Sequence, residues 1–323
     1  METPVALIVF NRPELTQRSF ERVRRAQPER LYLIADGPRS HVPEDQDRCG
    51  EVREGVANVD WPCEVHRIYA ESNLGLKRRV VSGLDEVFAR EERAIVLEDD
   101  CLPHPDFFTF CEALLERYAD DERVGMITGN NFQAGQQRGD ASYYFSRYPH
   151  VWGWATWRRS WQEYDPEIGF WGRWCQSDAW EQAIPDKVER RYWEAIFDRV
   201  AAGKVDSWAY PWTANMWFHG RLTATPNANL VENVGFGMEA THTYQPPESA
   251  RQAAEGLGQV THPAGVTGDP AADAFAFEHH FEGWRRRGLR GLTRFLPHAL
   301  KMGIRKLQAG ASRRLSGRGD ASE

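Results

Sequence analysis

Cysteine is scarce in this sequence, and long apolar runs are missing from it. The five cysteines among 323 residues are scattered and form no CxxC pair. This pattern argues against a disulfide framework or a zinc knuckle and favours a reducing compartment. No run of about eighteen apolar residues occurs, so we predict no membrane-spanning helix. The N-terminus has no basic lead followed by a long apolar stretch, so we expect no signal peptide and a cytoplasmic location.

Acidic residues are missing from one end of the chain. The formal net charge is −7, yet residues 284–319 contain 11 Arg or Lys and no Asp or Glu. Leucines are interleaved with the cations there, which is typical of an interfacial helix attracted to anionic lipid. We therefore predict contact with an anionic membrane surface through residues 284–315, and no nucleic-acid partner. The alternatives are a basic helix packed on the acidic body, or a disordered tail.

Three adjacent carboxylates follow a short apolar run in the stretch RAIVLEDDCLPHPDFF, residues 93–108. The run predicts a strand buried on both faces, as in a parallel sheet. Glu98, Asp99 and Asp100 at its end repel one another unless a cation is present, and a divalent metal is the usual partner. Pro105 suits the first position of the following helix. The alternative is an acidic loop that only caps the helix and adds solubility.

Polar groups also follow two other predicted strands and precede a helix. Polar residues follow the run PVALIVF and the run at residues 31–35. Strand–helix alternation up to residue 120 predicts a parallel sheet, whose carboxyl ends meet at one ligand-binding edge. The candidate nucleotide-binding residues at this edge are Phe10, Asn11, Arg12, Asp36, Asn73, Gly75, Lys77, Arg78, Glu98, Asp99 and Asp100.

Each of these groups suits one part of a nucleotide diphosphate. Asp36 can accept the imide N–H of uracil or thymine, and the acids before Asp100 can hold ribose hydroxyls. Asp100 can ligate Mn²⁺ or Mg²⁺ that bridges a diphosphate. A helix start beside Lys77 and Arg78 favours phosphate. A turn at Asp36 and a solvated Lys-Arg pair are the plainer alternatives.

The second half of the chain is rich in aromatic residues and less regular. Most of the 13 tryptophans lie between Trp152 and Trp217. We predict strands at residues 143–145 and 151–157, helices at 187–201 and 211–219, and a loop at 39–50. The predicted organisation is a domain over 1–245, divided into a nucleotide-sugar half (1–130) and an acceptor half (131–245). A linker (246–280) and a basic amphipathic tail (281–318) follow.

In this order, the motifs resemble those of the GT-A glycosyltransferases. PVALIVFNRP, the Asp36-Gly37 turn, ESNLGLKR and VLEDDCLPHPDFF are similar to the donor half of that fold. The last of them looks like bacterial relatives of N-acetylglucosaminyltransferase I. VWGWATWRRSW, DSWAYPWTANMW and TPNANLVENVGFGMEATHT resemble segments of the second half. The resemblance covers roughly residues 4–245 and implies an α/β fold of GT-A (Rossmann-like) type: a mixed, mainly parallel sheet flanked by helices.

The resemblance also implies roles for particular residues. Asp100 would hold the metal, while Glu98 and Asp99 would contact the sugar nucleotide. The catalytic base would be a carboxylate just before a tryptophan, and Asp206 is the nearest match. An acid at the position of Ala209 is the family's alternative, and Asp206 could instead cap the next helix. His242 would be a second metal or diphosphate ligand, with Glu239 or a plain surface histidine as alternatives.

Aromatic residues of the second half are candidates for acceptor binding, because sugars present C–H faces that stack on rings. We expect the groove to draw on Trp152, Gly153, Trp154, Trp208 and Trp212. Gly153 would let backbone approach a substrate closely. The alternative for each tryptophan is the core.

These inferences predict a metal-dependent, inverting glycosyltransferase. It would move a hexosyl or N-acetylhexosaminyl group from a nucleotide-diphosphate donor, with UDP-sugars favoured, to a saccharide or lipid-linked saccharide. We expect a role in bacterial surface-glycan synthesis at the inner face of the cell membrane. One rival is a sugar nucleotidyltransferase, but Asn11-Arg12-Pro13 is not the Gly-rich loop it needs after the first strand. The other is a non-catalytic carbohydrate-binding or scaffold protein.

Overall fold

The computed structural model describes residues 1–236 and 252–294, with side chains as far as residue 288. An eight-stranded sheet lies at its centre, beside a two-stranded ribbon. The strands are β1 (Val5–Val9), β2 (Arg30–Ala35), β3 (Glu64–Tyr69), β4 (Arg93–Glu98), β5 (Cys101–Pro103), β6 (Val124–Thr128), β7 (Tyr143–Ser146), β8 (Trp154–Trp157), β9 (Leu222–Pro226) and β10 (Val231–Asn233). The sheet order is β3-β2-β1-β4-β8-β6-β9-β7, and the ribbon pairs β10 with β5.

The first four strands of this order run parallel, whereas the other four are mixed: β6 and β9 are parallel to each other. β8 is antiparallel to both β4 and β6, and β7 is antiparallel to β9. All five residues of β1 are buried, because helices cover both faces of the sheet. Ile8 is level with Ile34 on one side and with Glu98 on the other, so the polar residues that follow these strands share one edge. The predicted mixed, mainly parallel α/β sheet is confirmed.

Helices pack on both faces of the sheet. They are α1 (Pro13–Ala26), α2 (Glu44–Gly55), α3 (Leu76–Arg90), α4 (Pro105–Arg117), α5 (Arg158–Trp161), α6 (Trp171–Trp174), α7 (Asp178–Ala183), α8 (Lys187–Ala201), α9 (Ala209–Phe218), α10 (Pro270–His279) and α11 (Gly283–Arg294). One core cluster joins the sheet to α1 through Phe20 and to α4 through Phe107. The other joins it to α3 through Val80, to α8 through Trp193 and to α9 through Trp212.

Two segments differ from the sequence-based expectation. Residues 39–50 are not a plain loop, because α2 begins at Glu44 and buries Asp45, Cys49 and Val52. The inward residues are partly polar, so this helix has almost no apolar stripe to reveal it. Part of the predicted linker, residues 252–280, packs on the domain: α10 carries Asp273, which accepts a 2.6 Å hydrogen bond from the Ser146 hydroxyl of β7.

The basic segment begins at α11, which contacts α8 and α10. Arg287 bonds to Asp186 at 2.9 Å and to Glu278, whereas Trp284 is 55% exposed. Across residues 1–236 and 252–294, none of the helices combines the length and apolar character that crossing a bilayer requires. The remainder of the predicted membrane segment, residues 295–315, lies outside the described residues, as do His242 and Glu239.

Candidate functional site at the carboxyl edge of the sheet

The three carboxylates after β4 lie together with Arg12, which follows β1. Arg12 forms an ion pair with Asp99 and donates to Asp100 Oδ2 at 3.0 Å. Burial opposes its charge, but the two carboxylates raise the pKa of Arg12. Burial, reinforced by the charges of Asp100 and Asp99, raises the pKa of Glu98, and burial also raises the pKa of Asp99. The site thus concentrates more negative charge than Arg12 alone can offset.

The backbone of this acidic turn is fixed by α1 and by the β5–β10 ribbon. The Ser19 hydroxyl, fully buried on α1, lies 2.8 Å from the carbonyl oxygen of Asp99 and 2.9 Å from that of Cys101. Asn233, at the end of β10, donates through Nδ2 to Asp100 Oδ1 at 3.2 Å. These positions were not identified from the sequence, because the pairing of β5 with β10 joins residues more than a hundred positions apart.

Gly235 covers the Asp100 carboxylate. A Cβ atom at this position would lie 2.1 Å from Asp100 Oδ2, so only glycine fits this close approach. The turn is held by the Gly235 N–H, which donates to Asn233 Oδ1 at 2.9 Å. The first glycine of the motif NVGFG is a residue type that permits such a close approach, but the sequence alone does not show that Asp100 is the group it approaches.

Asp36 is buried after β2 and holds the loop that precedes α3. Its Oδ1 accepts the N–H groups of Gly37 (2.8 Å) and Leu74 (2.9 Å). Its Oδ2 accepts from Asn73 Nδ2 at 3.0 Å and from the Gly75 N–H at 3.1 Å. A carboxylate offers about four acceptor positions, so this group is occupied by its own chain. Asp36 and Asn73 therefore join the loop after β2 to the loop after β3, and the Asp36 carboxylate is not free to contact a ligand.

Asp206 lies at the N-terminus of α3, which is where the sequence suggested that phosphate would bind. Its Oδ1 accepts the Lys77 N–H at 3.1 Å, and its Oδ2 would lie 3.2 Å from a Cβ atom at Gly75. Lys77 Nζ forms a 2.7 Å ion pair with Glu167. Asp206 is thus a cap, as the alternative interpretation held, but of α3 and not of α9. The second half of the chain supplies acids to this helix start.

Phe10 and Asn11 contact the segment that leads into α2. The Arg39 guanidinium lies 5.4 Å from the centre of the Phe10 ring. Asn11 Nδ2 donates to Asp45 Oδ1 at 2.8 Å, and Arg39 pairs with the same carboxylate. Both predicted residues are therefore at the carboxyl edge, but the Phe10 ring lies against Arg39 and the Asn11 amide N–H already has an acceptor.

Two consecutive arginines of α3 differ in their surroundings. Arg78 is exposed. Arg79 is only 6% exposed, and within the described residues it has no hydrogen-bond or ion-pair partner; its Nε is a buried atom without a partner. Burial lowers the pKa of Arg79. The burial of Arg79 could not be predicted from the sequence, because a Lys-Arg-Arg run at a helix start is usually solvated.

Most of the predicted acceptor-groove residues lie in the core. Trp154, Trp208 and Trp212 are at most 2% exposed, and Trp154 stacks on Trp208 with ring centres 5.3 Å apart. Their burial leaves no surface for a saccharide, so the alternative interpretation applies to these three. Gly153, with φ +69°, makes room for Val231, since its Cβ would lie 2.7 Å from that side chain.

Trp152 is the exception among the predicted acceptor residues. It is half-buried, and its ring centre lies 5.4 Å from that of Phe236. Phe236 follows Gly235, so this aromatic pair lies close to Asp100. A half-buried ring near a carboxylate cluster is a feature that suits sugar binding.

Asp100 alone does not make a metal site. Among the described side chains, no group of three His, Cys, Asp or Glu residues converges as an all-protein site requires. Mg²⁺ and similar hard cations are commonly held by one or two carboxylates together with substrate phosphates. The oxygen donors after β4 fit that arrangement, with Asp100 as the protein ligand and a diphosphate supplying the others.

Comparisons with known proteins add little to this picture. No family model and no curated protein matches the chain. Among solved structures, UDP-glucose pyrophosphorylase complexed with UDP-glucose is 12% identical over 51% of this chain and 81% of that chain, with a TM-score of 0.32. Residues 1–349 of S. aureus TarS are 10% identical over 49% and 47%, with a TM-score of 0.35. The mannosyltransferase PcManGT from Pyrobaculum calidifontis, in complex with GDP-Man and Mn²⁺, is 12% identical over 68% and 70%, with a TM-score of 0.34. Likenesses of this size carry no argument about activity.

Proposed function

We propose that this protein is a metal-dependent, inverting glycosyltransferase that uses a nucleotide-diphosphate sugar, with UDP-sugars favoured. The acceptor is a saccharide or a lipid-linked saccharide in bacterial surface-glycan synthesis. Residues 1–130 bind the donor, and residues 131–245 bind the acceptor. The observation that carries the proposal is the cluster of three carboxylates at the carboxyl edge of parallel strands, next to Arg12 and beneath Gly235.

The charge of the cluster supports a donor that arrives with a divalent cation. Arg12 is engaged with Asp99 and Asp100, and the acids nevertheless outnumber it. A diphosphate would be repelled from such a site unless Mn²⁺ or Mg²⁺ accompanied it. When bound, the metal would offset the charge of the departing diphosphate, and Asp100 would be its protein ligand. The proposed second ligand is His242, which lies outside the described residues.

Asp206 is the proposed base. In an inverting transfer the acceptor hydroxyl oxygen attacks the anomeric carbon, the bond from that carbon to the diphosphate oxygen breaks, and the hydroxyl proton passes to a carboxylate. Asp206 is exposed and comes from the acceptor half, yet it contacts the start of α3 in the donor half. Trp152, which is half-buried, is the proposed acceptor contact.

One observation favours a second candidate, a non-catalytic sugar-nucleotide-binding protein. The carboxylate of Asp206 already accepts the Lys77 N–H, so its engagement as a cap competes with a role in proton transfer. A protein of this kind would bind the nucleotide sugar with metal and would release no free nucleotide.

A panel of UDP-, GDP- and dTDP-sugars with Mn²⁺ tests the proposal. Thermal shift reports binding, and release of free nucleoside diphosphate reports slow hydrolysis or transfer. We expect one donor class to stabilise the protein only with metal and to be hydrolysed slowly. If no nucleotide sugar stabilises it, the transferase proposal fails, and binding without hydrolysis supports the second candidate.

We also propose that residues 284–315 contact anionic lipid at the inner face of the cell membrane. Two features support this: Trp284 is exposed, and its ring lies 5.1 Å from the Arg285 guanidinium. Arg287 fastens the same helix to Asp186 and Glu278, leaving the Trp284 side free to meet a surface. Co-sedimentation with anionic and neutral vesicles should show binding of the full chain to the anionic vesicles only. A chain that ends at Gly283 should not bind, and equal sedimentation of both chains would contradict the proposal.

A further inference from the structure

Arg79 differs from the other buried arginine of the described residues in having no partner. That arginine, Arg221, pairs with Glu163. Three half-buried arginines are also engaged: Arg12 with two carboxylates, Arg147 with Glu189, and Arg159 with backbone carbonyl oxygens. Arg79 is 6% exposed, and among the described residues it makes neither an ion pair nor a hydrogen bond. The charges of Asp36 and Glu86 favour its ionised form, yet a buried guanidinium N–H without an acceptor is unfavourable.

The position of Arg79 places its charge at the ligand-binding edge. It shares a face of α3 with Gly83, whose Cβ position is only 2.5 Å from Ile34 Cγ2 on β2, so this face lies directly against the sheet. Arg79 is one turn nearer the helix N-terminus, and long helical side chains lean toward that end. The guanidinium therefore lies near the end of β2. Asp36 lies there, and it is the acid whose charge does most to raise the pKa of Arg79.

Asp36 attracts this charge but forms no hydrogen bond with the Arg79 guanidinium. Both of its oxygens accept from the loop at residues 73–75 and from Gly37. Lys77 pairs with Glu167, Arg12 pairs with Asp99 and Asp100, and Arg78 is exposed to solvent. Arg79 is thus a buried cation at this edge that has no hydrogen-bond or ion-pair contact with an anion among the described residues.

We propose that Arg79 binds a phosphoryl oxygen of the nucleotide donor and so positions the nucleotide at the carboxyl edge of the sheet. The inference rests on the proposed function, because it takes the anion to be the phosphate of the donor. A guanidinium suits this role since its planar N–H groups match phosphoryl oxygens, and such charge-assisted bonds are stronger than neutral ones.

The substitution Arg79→Met separates this role from a structural one. Methionine retains much of the buried chain but has no charge, so the ligand-free protein should become more stable, with a Tm higher by about 2 °C or more. Arg159→Met is the matched control. Arg159 donates to the carbonyl oxygens of Ala119, Tyr118, Asp121 and Val124, so its loss should lower the Tm.

Binding of UDP, uridine and inorganic pyrophosphate to the full chain, with Mn²⁺, identifies the ligand group. Arg79→Met should weaken UDP and pyrophosphate by roughly ten- to a hundred-fold and leave uridine unchanged, as expected for a lost charge-assisted hydrogen bond. An Arg79→Lys chain should recover part of the loss.

Three results would overturn the assignment. The first is an Arg79→Met protein as unstable as Arg159→Met, which would make Arg79 structural. The second is unchanged UDP affinity. The third is an equal loss for uridine, which would move the contact to the base or ribose. Failure of the proposed function is distinguishable, because the wild-type protein would then bind pyrophosphate through Arg79 but gain nothing from a nucleotide or a sugar.

Discussion

Two substitutions at Asp206 separate a helix cap from a catalytic base. Asp206→Ala removes both functions, whereas Asp206→Asn keeps an amide oxygen that can still accept the Lys77 N–H. The N-cap residue of α3 is Gly75, which has no side chain to cap the helix, so Asp206 supplies the contact from a distant part of the chain. We therefore expect the two variants to differ in stability and to agree in activity.

The size of each effect follows from the contact. Loss of a capping side chain costs about 1 kcal/mol, and loss of a negative charge at a helix start costs roughly 0.3–1 kcal/mol. Asp206→Ala should lose both contributions, which lowers the Tm by about 2–4 °C, while Asp206→Asn should lose only the second. If Asp206 is the base, either change should reduce kcat by about 10²–10⁴-fold.

Asp269→Ala is a matched control for the cap. Asp269 accepts the N–H groups of Ala271 and Ala272 at the start of α10, away from the carboxylates, so its loss should cost similar stability without loss of activity. Thermal unfolding and steady-state kinetics with the preferred donor measure both quantities. An Asp206→Asn protein with full kcat would refute the base, and an Asp206→Ala protein of unchanged stability would refute the cap.

Three further perturbations address the rest of the site. Asp100→Ala should abolish metal-dependent nucleotide binding, and EDTA should have the same effect on the wild type; affinity that survives the substitution would move the metal elsewhere. Gly235→Ala should weaken UDP with Mn²⁺ by roughly ten-fold or more, since the added Cβ would lie 2.1 Å from Asp100 Oδ2, whereas Gly50→Ala meets open space and should have no effect. The Arg39 hydrogen bond lowers the pKa of Asp45 from 3.8 to about 2, so the stability that this pair adds is present above about pH 4 and is lost as the pH falls toward 2. Acid unfolding of Asp45→Asn should be less steep in this window, and identical curves would contradict the ion pair.

The parallel half of the sheet could be predicted from the sequence because its strands are buried on both faces. Runs such as Val5–Val9 and Ala94 to Leu97 contain no polar residue, and polar residues follow each run within two positions. The helix α8 matched its predicted range, 187–201, because its apolar positions recur at helical spacing. In these elements the local pattern and the tertiary environment agree.

Other features depend on contacts that no local pattern records. Lys77 and Asp206 lie 129 positions apart, and their contact is created only when the two halves pack together. Tryptophan type does not reveal burial, so Trp208 and Trp212 could not be told from a groove lining. Arg79 and Asp45 are charged residues in buried positions, where the usual expectation of solvation fails.

The crowding of tryptophan into one half of the chain also has a spectroscopic consequence. Trp154 lies within 5.3–6.3 Å of Trp161, Trp208 and Trp212, measured between ring centres. Indoles this close exchange excitation energy, so we expect a buried cluster in the second half of the chain to contribute strongly to the ultraviolet emission of the protein. Fluorescence is therefore a sensitive gauge of whether that half is folded and a poor reporter of nucleotide binding. Trp152 is the indole whose emission an acceptor sugar could change.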